Sequence, residues 1–271
     1  MKLQKPKVMP YTDHTNPDTI QKFNEVAEGY DQHFDNRFDR AEETVLFNRY
    51  GHLLQNADVL DIGCGTGLVA RLTYSQTNTP KMKLTPYSYT GVDVSQKMVE
   101  IAAYRIKAPR SQIVVADMVD YMDHQCAPES FDVVTSWYFP MNYCEHEAPR
   151  VYEAVSRVLR PGGHFVNIMA SSRYVMRHSH IVEANNLRRF FEDNDWYRGQ
   201  IPASLKVVSI TGFNFLIEKY RRWLNLCPQV VIEAMFRFDQ RMGEKSGAKP
   251  YFYGIHLQKP PLDYEKTPLD M

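Results

Sequence analysis

The chain has 271 residues, with 32 Lys plus Arg against 32 Asp plus Glu, so its formal charge is zero. At roughly 100–200 residues per domain this length suits one large domain or a domain with an added cap, and 24% charged with 44% hydrophobic residues excludes a disordered chain. The balanced charge argues against a general nucleic-acid binder, which carries a basic surplus.

Residues 1–15 read as a loose arm with no apolar stretch of the signal-peptide kind. Asn16 followed by Pro17 marks a helix start, a cap and then a first-turn proline. Ile20, Phe23, Ala27 and Tyr30 share one face of that helix, and a second helix is predicted from about Ala41, with Leu46, Tyr50, Leu53 and Leu54 inward. From Val59 onward the pattern alternates. Strands are predicted at Val59–Ile62, Tyr89–Val94, Ile113–Asp117, Phe131–Ser136 and His164–Met169, with helical stretches between most of them. The clearest helix carries Val151, Ala154, Val155, Val158 and Leu159, and Pro161-Gly162-Gly163 stops it and turns the chain into the fifth strand. Alternating β and α with apolar strands predicts a parallel sheet covered on both faces. After Ala170 the rhythm breaks, and residues 171–203 read as a cap over the carboxyl edge of the sheet. A sixth strand at Leu205–Ile210, a helix around Val230–Met242, a glycine-rich turn at Gly243–Gly247 and a last strand at Tyr251–Leu257 follow, before an extended, proline-bearing tail.

Cys64, Cys126, Cys144 and Cys227 lie far apart without C-x-x-C or zinc spacing, and read as reduced thiols of a cytoplasmic protein. No run approaches the ~18 apolar residues of a membrane span. Asp13, His14, Asp31 and His33 are too irregularly spaced to assign a metal.

The strongest signal is Val59-Leu60-Asp61-Ile62-Gly63-Cys64-Gly65-Thr66-Gly67. A strand delivers the chain into a tight turn whose glycines let backbone approach a ligand. A helix starting near Thr66 would present its amino end to an anionic group. Asp61, just before the glycines, is placed to hold a cationic amine, and Asp93, at the end of the next strand, to accept from two ribose hydroxyls. A nicotinamide or flavin dinucleotide fits worse: its fingerprint is G-x-G-x-x-G, and the sixth position from Gly63 is Leu68.

These residues resemble the class I S-adenosylmethionine-dependent methyltransferases. Asp61 to Gly67 matches the family's acid plus G-x-G-x-G, Asp93 its acid ending strand two, and Asp117-Met118 its acid beside the adenine. Phe131-Asp132-Val133-Val134, Leu159-Arg160-Pro161-Gly162-Gly163 and the early Val26-Ala27-Glu28-Gly29-Tyr30-Asp31 are also typical, so the resemblance spans roughly residues 23 to 170 and the last strand. One departure is the 26-position interval from Gly67 to Asp93, against ~20 in a compact nucleotide-binding unit. An enlarged loop from Gln76 to Ser88 accounts for it.

The resemblance implies a Rossmann-like α/β fold with sheet order 3-2-1-4-5-7-6 and an antiparallel seventh strand. Residues 1–40 would form the arm and lid helix, and 41–271 the methyltransferase domain with the cap inserted. It implies S-adenosylmethionine as cofactor, with Asp61, Gly63, Gly65 and Gly67 at the methionine end, Asp93 on the ribose, Asp117 and Met118 at the adenine, and Tyr30, Val94, Met98 and Ser136 lining the same site. The acceptor side would come from the aromatic loop after strand four and from the cap: Tyr138, Asn142, Tyr143, Arg173, Tyr174 and His178. That loop lacks the D/N-P-P-Y/F of relatives that methylate bases or amides. His146 is the leading general-base candidate and Tyr143 the second, where a base is needed at all. The expected acceptor is a small molecule attacked through N or O. The alternatives are a macromolecule-directed methyltransferase and a cofactor-binding protein of this fold without methyl transfer.

Overall fold

The computed structural model describes residues 17–74, 86–138, 148–171, 173 and 199–261. The helices are α1 (Pro17–Phe34), α2 (Arg37–Tyr50), α3 (Leu68–Tyr74), α4 (Gln96–Arg105), α5 (Met118–Gln125), α6 (Ala148–Val158), the short α7 (Arg221–Leu224) and α8 (Gln229–Ser246). The strands are β1 (Asp58–Ile62), β2 (Ser88–Asp93), β3 (Ser111–Val115), β4 (Phe131–Trp137), β5 (Leu159–Ala170), β6 (Lys206–Phe213) and β7 (Phe252–Gln258). They form one sheet in the order β3-β2-β1-β4-β5-β7-β6. The first five are parallel, and β7 runs antiparallel to both β5 and β6. This is the expected order.

Side chains alternate across the strands, so each strand feeds two cores. On one face Leu60, Ile62, Val134 and Phe165 pack with Met122 of α5 and Val155 of α6. On the other Val59, Val133 and Val166 pack with Leu46 of α2, Ala70 of α3 and Ala102 of α4. Each large apolar side chain so buried contributes ~1.5–3 kcal/mol. A third, smaller core joins Phe38 and Ala41 of α2 to Leu224, Ile232 and Phe236 of α7 and α8.

Several boundaries differ from the sequence-based expectation for local reasons. α2 starts at Arg37 rather than Ala41, because Asn36 caps it by accepting from the Asp39 N–H at 3.0 Å. α3 starts at Leu68 rather than near Thr66, since Gly67 sits at φ +89°, outside the helical region. Pro161-Gly162-Gly163 does not precede the fifth strand but lies within it, as an irregular start where the β4 register shifts between Phe131 and Val133. Gly243 belongs to α8, not to a turn, and its lack of Cβ admits the Phe215 ring, whose Cγ would stand 2.0 Å from one. Of the cap, Ser172 and Tyr174 to Arg198 lie outside the described residues, as do Gln76–Thr85 of the enlarged loop.

Candidate active site

β1 and β2 end side by side, with Asp61 paired in register to Gly91 and Ile62 to Val92. The chain then turns through Gly63, Gly65 and Gly67 at φ +67°, +53° and +89°, where Cβ-bearing residues are strained. Gly63 and Cys64 donate their N–H groups to the Val92 carbonyl at 2.8 and 3.0 Å, which locks the turn to β2. The Asp93 carboxylate does the rest, accepting from Gly65 N–H and Ser95 N–H, both at 2.9 Å. Space lies open over Gly65, whereas a Cβ on Gly67 would stand 2.8 Å from Ile106 Cδ1 of the segment after α4. One glycine therefore leaves room above the turn and another permits close packing beneath it.

Asp61 is 1% exposed and accepts from the Tyr89 hydroxyl at 2.6 Å. Burial pushes its carboxyl up to about 7, against the Tyr89 bond that lowers it and with the Asp93 charge that raises it. A buried carboxylate in this position is relieved by a cation arriving beside it. Asp117 caps α5, accepting from Val119 and Asp120 N–H at 2.9 Å, and Met118 packs into the core next to it. Met98, on α4, is buried, while Val94 is half-buried after β2. Ser136 is fully buried near the end of β4, and its Oγ has no hydrogen-bond partner. The donor set is thus a row of carboxylates and open backbone at the carboxyl edge of β1, β2 and β3, with an unsatisfied hydroxyl on β4. It fits a ligand with a cationic amino-acid end and a nucleoside.

α1 is tied across this edge by polar contacts that no sequence signal marked. Asn24 Oδ1 accepts from Ser95 Oγ at 2.8 Å and from Lys97 N–H at 3.1 Å. Asp31 accepts from Thr66 Oγ1 at 2.6 Å and pairs with Arg105. Tyr30, half-buried, adjoins this tie. These ties fix α1 against the glycine turn and α4.

Tyr138, one of the residues expected to meet the acceptor, follows β4 with φ +58°. Its hydroxyl donates to Glu42 of α2 at 3.3 Å, and its ring meets Phe252 edge-on at 5.3 Å. Glu42 is buried and also accepts from Asn214 at 3.2 Å. Burial, with Asp39 and Glu218 close by, raises its carboxyl well above the usual range. Arg173 is committed to main chain, donating to the carbonyls of Phe215 and Lys249 and stacking 4.6 Å from the Tyr251 ring centroid. Asn142, Tyr143, His146, Tyr174 and His178 lie outside the described residues.

Residues 59–163 match the "Methyltransferase domain" family. A demethylmenaquinone methyltransferase of Symbiobacterium thermophilum is 29% identical over 206 residues, covering 73% of this chain and 76% of that protein. With the sheet order, these matches support a class I S-adenosylmethionine-dependent methyltransferase family for the chain. Other relatives of this methyltransferase are matched over less of their length. A phthiotriol/phenolphthiotriol dimycocerosates methyltransferase of Mycobacterium leprae is 33% identical over 112 residues, 41% of this chain and 37% of that protein. Among solved structures, a methyltransferase of Haloferax volcanii in complex with the Trm112 methyltransferase activator shares the fold at TM-score 0.53 and 14% identity, over 91% of this chain and 98% of that one. The enzyme's cofactor is S-adenosylmethionine. Among the described residues no helix is long and apolar enough to cross a membrane, and no cluster of three His, Cys, Asp or Glu is placed to hold a metal.

Proposed function

We propose that the enzyme moves the methyl group to a nitrogen or oxygen atom of a small metabolite or natural-product-like acceptor. The observation that carries the small-acceptor reading is the naming of its curated relatives for demethylmenaquinone and for phthiotriol and phenolphthiotriol dimycocerosates, neither a protein nor a nucleic acid. The chain's zero net charge supports the same reading.

In this reading Asp61 holds the cationic amine of the cofactor, and the backbone at Gly63, Gly65 and Gly67 lies against its methionine end. Asp93 accepts from the ribose hydroxyls, and Asp117 with Met118 flanks the adenine. Val94, Met98 and Ser136 complete the lining, with Tyr30 closing over it from α1. The cofactor supplies an electrophilic methyl carbon on sulfur. The protein's share is to align a nucleophile in line with it and to exclude water, and orientation of this kind supplies several kcal/mol. In the same reading Tyr138, Asn142, Tyr143, Arg173, Tyr174 and His178 contact the acceptor. His146 takes the acceptor's proton where the nucleophile must lose one, with Tyr143 the second choice.

The test is incubation of the enzyme with methyl-labelled cofactor and cell extract, followed by fractionation. Label in the small-molecule fraction is expected. Label confined to protein or nucleic acid, or no transfer from any extract, overturns the reading. With the acceptor in hand, His146→Ala should lower turnover and leave cofactor affinity unchanged. An unaltered rate removes it as the base.

A further inference from the structure

Helix α8 has two apolar faces, and among the described residues only one of them is buried. Ile232, Phe236 and Gly243 are buried against α2, α7 and the Phe215 ring. A second row, Val231, Met235, Phe238 and Met242, recurs at i, i+4, i+7 and i+11, and is 42%, 39%, 66% and 45% exposed. At 3.6 residues per turn these four fall within about 60° of arc, roughly a right angle away from the buried row. Beside them, on the solvent side, Arg237, Arg241 and Lys245 repeat at i, i+4 and i+8, all exposed. Just upstream in the chain, Trp223 and Leu226 are 74% and 75% exposed. They are accompanied by exposed Lys219 and Arg222.

The charge on this segment is one-sided. Its acids are mostly consumed: Asp239 is buried and accepts from the N–H groups of Phe215, Leu216 and Ile217, and Glu218 is buried against Asn214 and Arg221. Glu233 is half-buried and pairs with Arg237 at 4.0 Å, which leaves Glu244 as the exposed acid of α8. A molecule of zero formal charge thus carries a local surface of cations interleaved with large apolar side chains.

We propose that the outer face of α8 docks the enzyme on an anionic lipid surface. Val231, Met235, Phe238 and Met242 enter the acyl boundary, while Arg237, Arg241 and Lys245 reach the phosphates. Apolar insertion beside a basic row is how an amphipathic helix lies in a membrane interface, and Trp223 suits the headgroup level. A second copy of the chain is the poorer occupant, because stacking two such faces brings like charges together. The contact is peripheral, since among the described residues no helix is long and apolar enough to span.

Co-sedimentation of the full chain with phosphatidylcholine vesicles, with and without phosphatidylglycerol, tests this. Binding should be at least tenfold stronger to the anionic vesicles and should weaken with salt. Each cation near such a surface is worth about fivefold in partition, so reversing Arg241 and Lys245 to Glu should reduce binding at least about thirtyfold. Phe238→Ser should also weaken it. Cofactor affinity by calorimetry should be unchanged in these variants, which separates a lost surface from a damaged fold. No binding to anionic vesicles, or equal binding by the variants, overturns the proposal. So does a lipid-free dimer that Phe238→Ser converts to monomer, which would give the face to a second copy.

Discussion

Asp61 and Asp93 stand at the ends of adjacent strands and differ in what surrounds them. Asp93 has two backbone N–H donors, from Gly65 and Ser95, and so clamps the glycine turn; in the proposed reading it also accepts from the ribose. Asp93→Ala should weaken cofactor binding by at least ~1–3 kcal/mol, because ribose hydroxyls lose their acceptor and the turn loses its anchor. Calorimetry returning wild-type affinity would remove the assignment. Asp61 is buried and reaches about 7, so in the free enzyme it is partly protonated at neutral pH. A cationic amine needs the ionised form. Cofactor affinity should therefore rise as pH climbs from about 5.5 to 7, and Asp61→Asn should bind weakly with that slope gone. A parallel pH profile in the variant would show that another group titrates.

At the scale of elements, one side chain holds the connection between β6 and α8. Asp239 accepts from three successive N–H groups, Phe215, Leu216 and Ile217, at 2.6, 2.8 and 3.1 Å. Asp239→Ala leaves buried donors unsatisfied, at ~1–3 kcal/mol for each. A loss of at least ~2 kcal/mol is expected, or roughly 4–8 °C in melting temperature for a chain of this size, with Asp239→Asn recovering part of it. A melting temperature within a degree of wild type would deny the role. None of this was legible in the sequence, where Asp239 is one more polar residue on a helix and its three partners lie more than twenty positions away. Asp61 and the glycines were legible because strand, turn and ligand contact are local in the chain. The α1 ties through Asn24 and Asp31 were not, because their partners come from α4 and the glycine turn.

Across the whole molecule, the pH response sums opposed groups. Burial raises Asp39 to about 6, Glu43 to about 7 and Asp61 to about 7, and raises Glu42 as well. The folded chain keeps these protons where the unfolded chain, with carboxyls near pH ~4, has released them. Their stability contribution is present at low pH and is lost as pH rises through about 7. His256 acts in the other direction. Burial, with His164 and His52 close by, lowers it to about 4, so its contribution is present above the unfolded value and lost as pH falls through about 4. Between about pH 6 and 8 the carboxyls dominate. The ligand-free chain should melt higher at about pH 6 than at about pH 8, and Glu42→Gln should narrow the gap. A rise in melting temperature toward pH 8 would reverse the assignment.

The sequence by itself determined the parallel α/β core, the glycine turn with its acid, and the acids ending strands two and three. Each is written in a stretch of under ten residues, by strand alternation and by turn chemistry that only glycine satisfies. The tertiary structure alone decided what those residues face. It buried Asp61 under Tyr89, joined Tyr138 to Glu42, drew α1 over the glycine turn, and turned a second apolar row of α8 outward. Such outcomes depend on contacts between segments far apart in the chain, and the pattern within a single helix or strand does not encode its partner.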